Sequence, residues 1–181
     1  MPRPPRIDRA TVLAATLALA DKHGLGAVSM RAVADRVGVT PMALYRHVGD
    51  KAALLDGLVE QLLLELPLPD PALGWQDRMD ALGIAIRATA RRHPDVFPLL
   101  LQRPAATPGA LRVRDTVYQV LRDAGVDEPL VPRVERLLST FVLGFAASEA
   151  GGRFTASPQQ LDDDFRWLGN HLLQTLTSNP P

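Results

Sequence analysis

The sequence predicts an all-α protein: an N-terminal three-helix module carrying a helix-turn-helix, then a C-terminal helical bundle, about nine helices in total. Three observations predict it. Apolar residues recur at helical spacing along most of the chain. No run of alternating apolar and polar residues is bounded by hairpin turns. Caps, glycines and prolines punctuate the first third at the interval of short helices and the remainder at the interval of longer ones. With 46% hydrophobic and 22% charged residues among 181, the chain can bury a core.

Helix 1 spans about Asp8 to His23, with Asp8 as N-cap and Gly24 as the stop. Gly24-Leu25-Gly26 is a loop; no strand precedes it and a third glycine is missing, so it is not a dinucleotide fingerprint. Helix 2 starts at the cap Ser29, with Val28 and Val33 placed to staple its first turn. Met30, Val33, Ala34 and Val37 share one face, and Gly38 ends the helix. Helix 3 repeats the pattern: Thr40 caps, Pro41 suits the first helical position, Val39 and Leu44 can staple, and Gly49 stops it. Asp50 caps helix 4, whose Leu54, Leu55, Leu58, Val59 and Leu62 form an apolar stripe.

The three prolines of LPLPDP, residues 66–71, mark the expected boundary between residues 1–66 and residues 67–181. Helix 5 follows from about Gly74 to Arg92 and is interrupted by His93-Pro94-Asp95, a tripeptide also found in J-domain co-chaperones but explained by one helix ending and another starting. Helix 6 is expected at about 95–102, helix 7 at 108–124 after the loop marked by Pro104 and Pro108, helix 8 at 130–151 and the last helix at 158–177. Helix 8 carries Val134, Leu137, Leu138, Phe141, Val142 and Phe145 on one face; the last helix carries Leu161, Phe165, Leu168, Leu172 and Leu176.

Net charge is zero, yet residues 1–50 hold seven basic residues against four acids, which leaves the rest three acids in excess. A basic head on an acidic body suits a polyanion-binding module joined to something else. The absence of cysteine excludes disulfides, zinc–cysteine sites and thiol catalysis, and fits a cytoplasmic protein. The apolar run ATVLAATLALA after Arg3, Arg6 and Arg9 mimics a signal peptide, but Asp8 interrupts the basic region. Val12, Leu13, Leu17 and Ala20 instead keep helical spacing. No apolar run reaches the length of a membrane span, so no membrane partner is expected.

Two short helices joined through a glycine turn, with Val37, Leu44 and Val48 holding them against helix 1, leave the outer face of helix 3 free to enter a major groove. Arg31, Thr40, Tyr45, Arg46, His47 and Lys51 crowd that face and its ends, where hydroxyl, guanidinium and ammonium groups reach phosphates or bases. The segment VSMRAVADRVGVTPMALYRHVGDKAALLDGL resembles the DNA-binding region of the TetR family of bacterial transcriptional regulators, and the resemblance covers roughly residues 8–64. It implies a ligand-binding helical domain, a two-fold homodimer and a palindromic DNA operator. By matching position it implies backbone contacts, direct or supporting, at Thr40, Tyr45, His47 and Lys51, and a reading helix, about residues 40–47, carrying Pro41, Met42, Ala43 and Arg46. It also implies a base contact at Arg31. Arg46 stands where tetracycline repressors have tryptophan, and Pro41, Met42 and Ala43 replace more polar readers, so the operator sequence does not carry over. His47 has a second reading as a packed residue supporting Tyr45, and the MPRPPR tail reads either as a minor-groove arm or as solvated chain.

In the same family the last two long helices usually form the dimer interface; the apolar stripes here agree, as does burial within one subunit. The small residues Gly144, Ala147, Ser148 and Gly151 permit close helix approach. For a small-molecule effector, expected to be largely apolar, the candidate contacts are Met79, Leu82, Ile86, Phe97, Leu101, Tyr118, Phe141, Phe145 and Glu149, with Trp75 beside them. Glu149 either pairs with Arg153 four residues on or meets a cationic ligand. The magnesium partners of tetracycline repressors find no full match, so no metal and no other cofactor is expected. No GxSxG, P-loop or metal-binding histidine pair is present, which speaks against an enzyme. The expected function is a ligand-responsive transcriptional regulator, a repressor before an activator; the alternative is a DNA-binding activator or architectural protein without ligand.

Overall fold

The computed structural model describes residues 7–103 and 107–178; the side chains at 168, 170 and 172–178 lie outside the described residues. The MPRPPR tail, Pro104 and the side chains of the stripe positions Leu168, Leu172 and Leu176 therefore fall outside what the structure describes. The described residues form nine α-helices and no strand. They are α1 (Arg9–His23), α2 (Met30–Val37), α3 (Pro41–Val48), α4 (Lys51–Glu65), α5 (Trp75–Arg92), α6 (Leu99–Gln102), α7 (Pro108–Asp123), α8 (Val131–Ala150) and α9 (Pro158–Ser178). None is long and apolar enough to cross a membrane.

The first four helices start where their caps dictate. Asp8, Ser29, Thr40 and Asp50 each accept a hydrogen bond from the backbone amide three residues on, at 2.8, 3.1, 3.2 and 2.8 Å. Gly38, at φ +74° and ψ +33°, occupies the left-handed conformation that turns the chain from α2 into α3, a place where a side chain is strained. Val28, Val33, Ala34, Leu44 and Leu54 are wholly buried where α1 crosses α2, α3 and α4. Burying side chains of this size stabilises by about 1.5–3 kcal/mol each for Val and Leu.

The apolar cluster of these helices does not stop at the proline-rich segment. It continues through Leu62, Leu63 and Leu66 into Ala85, Val96, Leu99, Ala110 and Val113. In the C-terminal half α5 lies along α8, and α7 packs on α4, α5 and α8. A second cluster gathers Leu121, Val126, Val131, Val134 and Leu138. The α9 helix is held through Phe165 over α5, where a Cβ at Gly83 would stand 2.8 Å from the ring. Helix 6 is shorter than the sequence predicts: residues 94–98 form turns, and only Leu99–Gln102 is helical. Pro98 has no N–H to continue a helix begun at 95, and it sits where α6 starts.

Candidate functional site

The head presents one exposed face. On α3, Leu44 and Val48 turn into the core, and Pro41, Met42, Tyr45, Arg46 and His47 turn out; Ala43 is half-buried. Met42 keeps 69% of its surface in solvent and Tyr45 48%, a poor place for apolar groups unless something covers them. Arg31 on the first turn of α2 and Lys51 on the first turn of α4 are exposed as well. Among the described residues no carboxylate forms an ion pair with Arg31, Arg46 or Lys51. His47 is exposed and not packed into the core. The backbone and side-chain hydrogen bonds from Thr11 hold the Asp8 carboxyl below its ordinary value. The Thr40 hydroxyl is engaged as the α3 cap, and its proton remains available for an acceptor beyond the helix. A helix with its side chains is about 10–12 Å across, which a major groove about 12 Å wide admits.

The body holds a cavity of about 760 Å³ walled by α4 to α9. Six of the expected effector contacts line it: Met79, Leu82, Ile86, Phe97, Leu101 and Phe141. The other expected contacts lie off its wall. Tyr118 packs with Trp75 on the cluster around Leu121 and Val134, with Arg114 and Arg122 over its ring. Phe145 sits in a ring group with Phe141, Phe154 and Phe165 at centroid distances of 6.0, 5.3 and 5.3 Å.

Glu149 does not pair with Arg153: Arg87, 62 residues back, takes that place. Arg87 Nε and Nη2 donate to its two oxygens at 2.8 Å each, and Arg91 Nη2 adds a third bond at 2.6 Å. Arg87 also reaches Asp162 of α9 at 2.8 Å and lies over the rings of Phe165 and Phe145. Burial pushes the Glu149 carboxyl up, but the two arginines outweigh it and hold it below its ordinary value. The Arg87 hydrogen bond likewise holds Asp162 low. Arg87, Arg91 and Asp162 are on the cavity wall, so the apolar chamber has a charged end that the sequence reading missed. The available signal was an arginine set within the buried face of α5, between Ala85, Thr89 and Ala90.

Cavity and head share α4, which contributes Leu62 and Leu63 to the wall, with Leu66 just beyond its end. Its C-terminal half is clamped by the first turns of α7. Glu60 accepts the Gly109 amide at 2.9 and 3.0 Å, and Arg112 donates to the carbonyls of Leu63 and Leu66 at 2.8 and 3.2 Å. Each charge meets the helix end of opposite polarity. Arg103, at the end of α6, adds a bond to Asp56 and one to the Ala52 carbonyl.

This arrangement defines a helix-turn-helix head mounted on a cavity-bearing helical body. The model for bacterial regulatory proteins of the tetR family matches residues 12–58, and that for the tetracyclin repressor-like C-terminal domain matches residues 68–169, more than half the chain. The chain belongs to the TetR family. It is 31% identical over 147 residues to the HTH-type transcriptional repressor DrrR1 of Streptomyces coeruleorubidus, covering 79% of this chain and 53% of that relative, so the match spans about half of DrrR1's length. The fold superposes on ActR of Streptomyces coelicolor, solved with actinorhodin, at a TM-score of 0.83 and 22% identity, covering 96% and 98% of the two chains. BioQ, solved with its natural double-stranded DNA operator, gives a TM-score of 0.81 at 26% identity, covering 96% and 100%.

Proposed function

We propose that this protein is a cytoplasmic homodimeric repressor that binds a palindromic DNA operator and is released from it by a small, largely apolar molecule. The observation that carries the reading is α4, one helix that starts beside the reading helix and ends as a wall of the cavity. Residues 1–66 act as the DNA-binding domain and 67–181 as the effector and dimerisation domain. Arg31 and Arg46 contact bases, and Lys51, Thr40, Tyr45 and His47 contact phosphates, with Pro41, Met42 and Ala43 against base edges. BioQ on its operator and the repressor role of DrrR1 support this reading. The dimer forms through α8 and α9, which expose Leu137 and Trp167 to 59% and 62%.

Release follows from the clamp. A molecule lodged against Leu62, Leu63 and Leu66 on one side and Val113 on the other separates α4 from α7. It is bound best by conformers in which α4 and α3 have shifted, so it draws the population away from the DNA-bound state. Selection from a pool of random duplexes tests the reading. A two-fold symmetric sequence is expected, with half-sites about one helical turn apart. Recovery of only unrelated sequences, bound with strong salt dependence, would show a nonspecific architectural protein.

A further inference from the structure

The tripeptide His93-Pro94-Asp95 has a role that helix breaking does not explain. His93 follows α5 directly and is buried, with 5% of its surface exposed. Its Nδ1 lies 2.9 Å from both carboxylate oxygens of Asp21 in the last turn of α1, and its Nε2 lies 3.1 Å from Oε2 of Glu65 at the end of α4. Arg92 Nη1 closes the group at 3.4 Å from the same Glu65 oxygen. Each ring nitrogen therefore faces a carboxyl group, one from each of two helices. The ring thus ties two helices of the head to the end of a helix that walls the cavity.

Among the described residues, Asp21–His93 is the one side-chain hydrogen bond between α1 and anything beyond α4. The other polar ties, Asp56–Arg103, Glu60–Gly109 and Arg112 to the α4 carbonyls, all grip α4. Apolar contacts are non-directional and let packed helices slide, whereas a charge-assisted hydrogen bond fixes an angle. We propose that His93 is a positioning residue, pinning α1 and α4 to α5 so that the head stands at one angle on the body. This rests on the reading of the protein as a dimer that binds paired half-sites. In such a dimer the angle of each head sets the separation of the two reading helices, so the pin narrows the range of half-site spacings that are bound.

The test uses the full chain and the symmetric site recovered from the duplex pool. Affinity is measured on that site and on versions with one or two base pairs inserted or removed at its centre. The native chain loses affinity steeply off the optimum. In Asp21→Asn and His93→Gln, which remove the carboxylate–imidazole pairing, the penalty for a single inserted pair falls by about threefold to tenfold while binding at the optimum changes less. Asp21 is partly exposed, with 29% of its side chain in solvent, so Asp21→Asn gives the answer even where His93→Gln fails to fold. A common loss at every spacing, or no change in the spacing profile, overturns the pin and leaves His93 a packing residue. Failure to recover any symmetric site overturns the regulator reading beneath it.

Discussion

The head and the body place their charges in opposite ways. On α2 and α3 every charged side chain is in solvent, and the interior beneath is apolar and closed. In the body Arg78 and Arg87 lie inside, 7% and 5% exposed, each held by a carboxylate: Asp123 for the first, Glu149 and Asp162 for the second. A closed apolar interior backs that exposed face. The body instead keeps paired ions inside, and Arg87 and Asp162 of these reach the cavity wall. The contrast teaches that the head works by its outside and the body by its inside, and each prediction bears on one half of it.

The largest effect is expected at Arg87. Arg87→Ala leaves the Glu149 carboxylate, whose side chain is only 8% exposed, with Arg91 as its remaining partner, and should cost about 3 kcal/mol in a denaturant titration. Replacing Arg87 and Glu149 together by methionine should cost far less than the two single changes added, because no charge is then left buried alone. Additive losses would mean that the pair is not the unit of the body's interior.

Acid makes a milder version of the same break. Glu149 and Asp162 have folded values below their ordinary 4.5 and 3.8. Their contribution is therefore fully present above the ordinary values and is lost as pH falls through the lowered ones. Melting followed from pH 6 down to about pH 3 should show the loss concentrated below roughly pH 4.5, and Glu149→Gln should flatten it. An unchanged profile in that variant would remove Glu149 from the account.

On the head, effects should fall on DNA rather than on stability. Arg46→Ala should relax the preference at one base position by about 1–3 kcal/mol. Lys51→Ala should weaken binding to all duplexes alike and reduce the salt slope by about one. Both should leave the melting temperature nearly unchanged, since surface changes away from specific contacts stay within about 0.5 kcal/mol. Thr40→Ala, unlike those two, should lower the stability of the folded chain, by about 1 kcal/mol for the lost α3 cap, read by thermal melting.

Legibility in the sequence follows the same division. The caps Ser29 and Thr40, the turn at Gly38 and the burial of Leu44 and Val48 are decided within a few residues, so the head was readable in order and almost to the residue. The body depends on contacts between distant segments. Arg153 was the natural partner of Glu149 by helix spacing, but the tertiary fold brings Arg87 and Arg91 to it from 62 and 58 residues away. Aromatic residues on an apolar helix face do not announce which side of a packed bundle they join; Phe141 reached the cavity wall and Tyr118 did not. His93 looked like punctuation because its two carboxylate partners lie 72 and 28 residues earlier.

The central claim is that the filling of the cavity and the grip of the head are one equilibrium. The direct measurement is fluorescence anisotropy of the labelled symmetric duplex during titration with a compound that binds the native chain but not Val113→Trp, a change that fills the cavity at the α7 wall. The account predicts that this compound raises the DNA dissociation constant at least tenfold in the native chain and leaves it unmoved in Val113→Trp. A compound that occupies the cavity by that criterion, yet leaves the DNA affinity of the native chain unchanged, would contradict it.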